Sequence, residues 1–213
     1  NNAVTFTAGK FSNAADFGAG NTNKYLSVAS NSIFAGSSYT WSFWVNASSL
    51  SNNPVVIGKD KNAANSRQLT ITIPPTGLVS VEHYSSGNVQ YLVSATSGAI
   101  STGSWYNVVV VNNAGTFSIY VNNSEVIKTL TGTYGAMQDS SGSALNIGRR
   151  EYGGSEQYLS GQIDDVAYFN RALSSSEVSE IYLSGGRFMK YSSVLGSETL
   201  IASPGSGTGN GMA

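Results

Sequence analysis

The strongest constraint on this chain is the alternation of apolar and polar residues in short runs that end at Gly, Asn, Ser or Pro. Within residues 68–73, Leu69, Ile71 and Ile73 alternate with polar residues. A period of two places the two sets of side chains on opposite faces of a strand. The same pattern predicts nine strands, at residues 39–47, 55–59, 68–73, 78–84, 89–94, 105–112, 116–121, 144–149 and 161–169. Nine strands at this spacing predict an all-β, antiparallel β-sandwich.

Tight turns are predicted between several of these runs. Residues 74–77, 86–88 and 112–115 contain the Pro, Gly and Asn residues that favour such turns. One short helix is also expected. Ser174 and Glu177 have the spacing of a capping box, Val178, Ile181 and Tyr182 supply an apolar stripe, and Gly185 ends it.

The chain is expected to hold one domain. Its sandwich is predicted at residues 1–186, followed by an extension at 187–203 with a possible added strand. Residues 204–213 are rich in Gly and Ser, a composition typical of a flexible tail. The start at Asn1 suggests a domain taken from a longer protein.

Composition excludes several classes of function. Charged residues make up 11% of the 213 residues and the net charge is -1, which argues against a nucleic-acid partner. Cysteine is absent, so disulfides and thiolate catalysis are excluded. The single histidine, His83, excludes any site that needs two. Without a run of roughly 18 apolar residues, no membrane insertion is predicted.

Four motifs carry a resemblance to a known family. The stretch Gly161-Gln-Ile-Asp-Asp-Val-Ala-Tyr-Phe-Asn-Arg-Ala-Leu173 resembles the C-terminal signature of the laminin G-like, concanavalin A-like jelly-roll family. Trp41-Ser-Phe-Trp-Val45, Trp105-Tyr-Asn-Val-Val-Val110 and Leu145-Asn-Ile-Gly148 resemble three of its strands, in the same order. The resemblance implies two stacked sheets and a carbohydrate-binding or adhesive module, although fold alone is weak support for function.

The adjacent acids of the signature are candidate calcium ligands. Calcium prefers six to eight hard oxygens from carboxylates, amides and backbone carbonyls. The resemblance implies that the N-terminal loop joins the signature at such an ion. The candidate ligands are Asp164, Asp165, Asp16, Asn21 and Asn23. In the alternative, Asp164 accepts backbone N–H groups from the N-terminal loop, and Asp165 is solvated or pairs with Arg171.

Sugar recognition combines aromatic surface with amide and charged groups. Candidates of these types lie on the middle hairpin and in two loops, although each alone is a weak signal and most of the tyrosines also fit half-buried strand positions. The candidate ligand-binding residues are His83, Tyr84, Tyr91, Lys59, Asp60, Arg67, Arg149, Arg150, Tyr152 and Tyr158. Arg149 and Arg150 could bind an anionic sugar or form surface ion pairs, and His83 is expected to be an exposed strand residue.

Three classes of function remain. The first is a non-catalytic glycan-binding or adhesive module of a larger extracellular or surface protein, with a glycan or surface polysaccharide and other domains of the same protein as partners. The second is a structural or assembly domain of a surface or virion protein. The third, an enzyme, is disfavoured because no regular pair of carboxylates stands out. Low charge and many hydroxyl and amide side chains suit an exported protein.

Overall fold

The chain folds into two stacked antiparallel sheets, described in a computed structural model. The described residues are 3–21, 23–60, 67–140, 142–151, 156–185 and 198–202. Sheet A contains eight strands: β1 (Thr5–Ala8), β2 (Asn13–Gly18), β4 (Ser38–Ser49), β9 (Tyr106–Asn113), β10 (Thr116–Val121), β11 (Ser124–Glu125), β16 (Ser160–Phe169) and β17 (Glu198–Ala202). Its order is β1-β2-β16-β4-β9-β10-β11, and β17 also pairs with β16.

Sheet B lies on the other side of the core. Its seven strands are β3 (Leu26–Val28), β5 (Val55–Asp60), β6 (Arg67–Thr72), β7 (Ser80–Ser85), β8 (Val89–Ala95), β12 (Lys128–Thr131) and β13 (Leu145–Ile147). They are arranged in the order β12-β8-β7-β6-β5-β13-β3. A separate hairpin pairs β14 (Arg149–Arg150) with β15 (Gln157–Tyr158).

Period-two side chains from both sheets form the core. In β4, Trp41, Phe43 and Val45 belong to the main buried cluster, together with Ile71 and Val81 of sheet B. Trp44 is also buried, but it points to the other side of sheet A. The predicted sandwich is confirmed, with its main apolar layer between the sheets.

A helix covers part of the outer side of sheet A. Helix α1 spans Ser175–Leu183, and the predicted capping box is formed between Ser174 and Glu177. Val178 and Ile181 pack in a second apolar cluster with residues such as Val109 and Phe169 of sheet A. None of the described helices is long and apolar enough to cross a membrane.

Eight of the nine predicted strands are present, with small shifts at their ends. The run predicted at 144–149 differs, because Gly148, at φ 81°, separates β13 from β14. Strands β1, β2, β3, β11, β12 and β15 were not predicted, since most are too short for a clear alternation. Strand β17 lies within the predicted extension and pairs with β16.

Candidate functional site

The outer face of sheet B carries a row of polar side chains. Thr70, Glu82 and Leu92 lie opposite one another on β6, β7 and β8, and Tyr84 lies opposite Gln90. The intervening residues of these strands, such as Val81, belong to the core, so this row faces outwards. The outer face of sheet B also includes Thr72, Ser80 and Ser94.

Gly58 allows the β14–β15 hairpin to lie across this face. A Cβ atom at Gly58 would overlap the carbonyl oxygen of Arg149 and come 3.3 Å from Cα of Arg150. The missing side chain therefore permits close approach of the hairpin backbone to β5. This approach brings the Arg150 side chain to the outer face of sheet B.

Arg150 binds two carboxylates there. Its Nη2 lies 2.6 Å from Oδ2 of Asp60, and its Nη1 lies 3.0 Å from Oε2 of Glu82. Nη2 also donates to the Tyr84 hydroxyl over 3.3 Å. The Tyr84 hydroxyl in turn donates to Oε2 of Glu82 over 2.7 Å. Ion pairs and charge-assisted hydrogen bonds thus hold the four side chains together.

Arg67 completes this group, called here the arginine cluster: Arg67, Arg150, Asp60, Glu82 and Tyr84. The Arg67 guanidinium lies over the Tyr84 ring at 5.5 Å from its centroid, and its Nε is 3.8 Å from Oδ1 of Asp60. Thr70 and Gln90 extend the cluster along the outer face. Thr70 donates to Asp60 over 3.3 Å, and Gln90 donates to the Tyr84 hydroxyl over 3.3 Å.

The members of the cluster differ in exposure, and their charges affect one another's pKa values. Asp60 is 1% exposed and Arg150 is 8% exposed, whereas the Glu82 side chain is 20% exposed and reaches solvent. Burial raises the pKa of Asp60, and the guanidinium groups of Arg150 and Arg67 oppose this rise. Burial and the Glu82 carboxylate raise the pKa of the Tyr84 hydroxyl, which stays a hydrogen-bond donor at neutral pH. The cluster contains two arginines and two carboxylates, so its formal charges cancel.

Three of the predicted ligand residues face inwards instead, which corrects their expected position on the surface. Lys59 lies in register with Leu69, and Leu69 with His83, which in turn lies opposite Tyr91. All three predicted residues are buried. The reason is strand parity, because Lys59, His83 and Tyr91 are each adjacent to an outward-facing residue, namely Asp60, Tyr84 and Gln90.

The buried polar groups of these residues have internal partners. Nζ of Lys59 donates to the backbone oxygen of Ser140 over 2.9 Å and to the Ser30 hydroxyl over 3.2 Å. The His83 Nε2 lies 2.9 Å from the Gly135 carbonyl oxygen, and its Nδ1 lies 3.3 Å from the Tyr39 hydroxyl. Burial lowers the pKa of His83 and lowers the pKa of Lys59 to about 8.

Two of the remaining predicted ligand residues, Arg149 and Tyr158, lie on the β14–β15 hairpin. Arg149 packs on the Tyr25 ring, 4.3 Å from its centroid, and is 3.8 Å from the carboxylates of Glu151 and Glu156. Tyr158 pairs with Arg149 across the hairpin and lines an open groove of about 410 Å³. Gly20, Ser49, Asn52 and Gln157 are among the other residues of this groove. Tyr152 lies outside the described residues.

The predicted calcium ligands make protein contacts. Oδ2 of Asp164 accepts the Phe11 N–H over 3.0 Å and Oδ1 accepts the Asp165 N–H over 3.0 Å. Asp16 accepts the Gly18 N–H over 2.7 Å and the Thr7 hydroxyl over 3.2 Å. The contacts of Asp164 are those of the alternative in which it anchors the N-terminal loop.

The two asparagines of the predicted calcium site shape the β2–β3 connection. The Asn21 side chain donates to the carbonyl oxygens of Lys24 and Leu159 and accepts the N–H groups of Asn23 and Lys24. In the described part of the chain, no three His, Cys, Asp or Glu residues are grouped so that they could hold a metal ion. These contacts do not fit an ion shared by all five predicted ligands.

The fold and its signature strand agree with a known family. A model of the concanavalin A-like lectin/glucanases superfamily matches residues 19–179. The chain belongs to this superfamily. The predicted resemblance is therefore confirmed, over a match that runs from the β2–β3 connection into α1. No curated protein matches the chain by sequence.

Solved structures share the fold of this superfamily member at low sequence identity. Domain 4 of the extracellular arabinanase AbnA from Geobacillus stearothermophilus, solved with arabinotriose, is 16% identical, with a TM-score of 0.62 over 85% of this chain and 82% of that chain. The sialidase CBM40 of Ruminococcus gnavus, bound to α2,3 sialyllactose, is 12% identical, with a TM-score of 0.57 over 75% of this chain and 96% of that chain. Another such structure is of botulinum neurotoxin type C, a toxin whose cell entry depends on interaction with two ganglioside molecules. It is 14% identical, with a TM-score of 0.62 over 86% of this chain and 45% of that chain.

Three residues that connect the cluster were not predicted from the sequence. Glu82, Thr70 and Gln90 were not among the predicted ligand residues, although they contact Tyr84 or Asp60. Glu82 precedes Tyr84 by two residues and therefore shares its face of β7. This spacing was a usable signal, whereas the approach of Arg150 depends on a hairpin that the sequence pattern does not specify.

Proposed function

We propose that this domain is a non-catalytic carbohydrate-binding module of an extracellular or surface protein and that the outer face of sheet B holds the glycan. The observation that carries this proposal is the arginine cluster, a rigid polar group with Glu82 reaching solvent on that face. Glycan-bound relatives of the same fold support the choice of ligand class. They include structures with arabinotriose and sialyllactose.

The chemistry of this face suits sugar hydroxyls. Glu82 supplies an acceptor oxygen, and the exposed Gln90 amide supplies both donor and acceptor groups. The half-buried Ser80 and Ser94 hydroxyls lie 3.4 Å apart and extend the polar surface, while Leu92 adds an apolar contact beside Glu82. Fixed polar groups next to apolar surface are typical of small-ligand sites.

The carboxylates of the cluster support binding rather than hydrolysis. A glycoside hydrolase needs one carboxyl group that can give a proton and another that acts as a base or nucleophile. Asp60 and Glu82 both hold the Arg150 guanidinium, at 2.6 and 3.0 Å. This pairing favours a fixed scaffold for ligand hydroxyls over a pair of reacting carboxyl groups.

A glycan array followed by calorimetric titration with the best oligosaccharide tests the proposal. Gln90→Ala removes one exposed amide from the proposed site, and we expect affinity to fall by about 5- to 10-fold, the effect of one or two hydrogen bonds. Gln162→Ala is the matched control, because it removes a half-buried amide from sheet A that contacts Thr7 and Ala8.

The proposal has three outcomes that would contradict it. These are no glycan retained on the array, an equal loss of affinity in both glutamine variants, and release of sugar products during long incubation. Product release would identify an enzyme.

One observation favours a second candidate, an assembly domain without a sugar site. Val89, Ile127 and Leu130 are 50%, 72% and 50% exposed around the β8–β12 edge of sheet B. An exposed apolar edge strand can pair with another chain. Sedimentation over a range of concentrations, combined with an array that retains no glycan, would favour this candidate if the domain self-associates.

A further inference from the structure

We propose that the outer face of sheet B selects neutral glycans and rejects glycans that carry a carboxylate, such as sialic or uronic acids. This inference rests on the proposed function and names the ligand class of the same site. It is carried by the state of the arginines around the site, all of which already have carboxylate partners.

Arg150 is the cation at the centre of the face, and both terminal nitrogens of its guanidinium already have partners. Nη2 binds Asp60 at 2.6 Å and the Tyr84 hydroxyl at 3.3 Å, while Nη1 binds Glu82 at 3.0 Å. A ligand carboxylate could bind in bidentate fashion only by displacing one of these partners. Displacement of Asp60, which is 1% exposed, would leave a buried anion unpaired.

The other two arginines near the face are also neutralised. Arg67 lies over the Tyr84 ring and within 3.8 Å of Asp60. Arg149 lies over the Tyr25 ring and within 3.8 Å of both Glu151 and Glu156. Lys59 points into the core and is 1% exposed. Within the described ranges, each arginine near this face therefore already has a carboxylate partner.

Two groups of the cluster reach solvent, Glu82 and Arg67, whose side chains are 20% and 21% exposed. The Arg67 guanidinium already faces Asp60 and the Tyr84 ring, whereas the Glu82 carboxylate repels a ligand carboxylate placed beside it. The same carboxylate accepts hydrogen bonds from neutral sugar hydroxyls without any charge conflict. The face therefore distinguishes the two ligand classes through both the paired state of its arginines and the exposed carboxylate of Glu82.

Matched pairs of probes test the inference by calorimetric titration. The pairs are lactose with 3′-sialyllactose, and methyl-esterified trigalacturonic acid with the free acid. We expect the neutral member of any bound pair to bind at least about 10-fold more tightly. We also expect its affinity to change less than about twofold between about 0.02 and 0.5 M NaCl, because no ion pair forms with the ligand.

Two variants with the same change in net charge locate the selectivity. Glu82→Gln removes the exposed negative charge and the ion pair with Nη1 of Arg150, so the gap between neutral and acidic probes should shrink by about 10-fold. Glu180→Gln, on the exposed surface of α1, should leave the gap unchanged. Circular dichroism checks that both variants fold. If Glu82→Gln does not fold, the ratio of the wild-type affinities for the neutral and acidic probes still tests the inference.

Two opposite results separate the failure of this inference from that of the proposed function. Tighter binding of the acidic probe, with an affinity that falls as salt rises, would overturn the neutral selectivity while leaving a glycan-binding module. If neither the array nor these probes bind, the proposed function fails and the selectivity fails with it.

Discussion

Arg150 and Asp60 form a 2.6 Å ion pair between the β14–β15 hairpin and sheet B. The pair joins elements that backbone hydrogen bonds place in separate sheets. Both side chains are largely buried, so neither charge has bulk water as an easy substitute partner. The pair therefore positions the hairpin as well as the polar face beneath it.

Loss of one partner of this pair should lower the stability of the domain. We expect Asp60→Asn to lower the free energy of unfolding by about 3 kcal/mol, because Arg150 loses a buried carboxylate. The double variant Asp60→Asn, Arg150→Met should recover part of this loss, as measured by urea unfolding. Glu151→Gln, which removes a more exposed partner of Arg149 at 3.8 Å, is the control and should cost less than about 1 kcal/mol. Equal losses in the two single variants would contradict a special role for Asp60.

Gly58→Ala should displace the hairpin. The new methyl group would overlap the Arg149 carbonyl oxygen, so we expect a loss of stability of about 1–3 kcal/mol and weaker glycan binding. Gly142→Ala adds the same methyl group where no atom lies within 4 Å, and thermal melting should show little change. A Gly58→Ala variant with normal stability and affinity would show that the close approach is not needed.

The buried His83 predicts a loss of stability in mild acid. Burial lowers its pKa below the ordinary value of 6.5, so the unfolded chain binds a proton at a higher pH than the folded chain does. Stability from neutral His83 is complete above about pH 6.5 and falls as the pH drops below that value. We expect His83→Gln to flatten this slope in urea unfolding between about pH 7 and 5.5. An unchanged slope would assign the effect to other groups.

The capping box of α1 predicts a second pH window. Hydrogen bonds from Arg171 and Ser174 lower the pKa of Glu177 from 4.5 to about 2. Its contribution is therefore present above about pH 4.5 and is lost as the pH falls towards 2. Glu177→Gln should be about 1 kcal/mol less stable at neutral pH and converge with the wild type in acid. Glu180→Gln, on the same helix, should follow the wild-type curve at every pH.

Calcium should have little effect on stability. Asp164 and Asp16 already accept protein N–H or O–H groups, and a native-state ligand would have to raise the melting temperature. We expect the same melting temperature in EDTA and in millimolar calcium. A clear rise with calcium but not with magnesium would show that the N-terminal loop rearranges to bind the ion.

The strands that could be predicted are those long enough for apolar residues to alternate visibly with polar residues along the chain. In β4 and β6 one or both faces pack against other elements, and apolar residues recur at every second position. Strands such as β11 and β14 have two residues each, and tertiary contacts rather than local pattern decide their pairing. The capping box of α1 was predictable because its hydrogen bonds join residues only three positions apart.

The site was less predictable than the fold. Tyr84, Asp60, Arg67 and Arg150 were predicted as ligand residues and are brought together in the arginine cluster. Lys59 and His83 were predicted because of their residue types. Both pair in register with Leu69, so their side chains point to the same inward face as Leu69. The pairing register of β5 with β6 also shifts between Lys59 and Asp60, and residue type alone does not reveal this shift.

Strands β1 and β17 both belong to sheet A, whereas the arginine cluster lies on the outer face of sheet B. A label or surface anchor attached at β1 or β17 would lie on the sheet opposite the cluster. Immobilisation through either strand should thus turn the face with the arginine cluster towards the sample rather than towards the support.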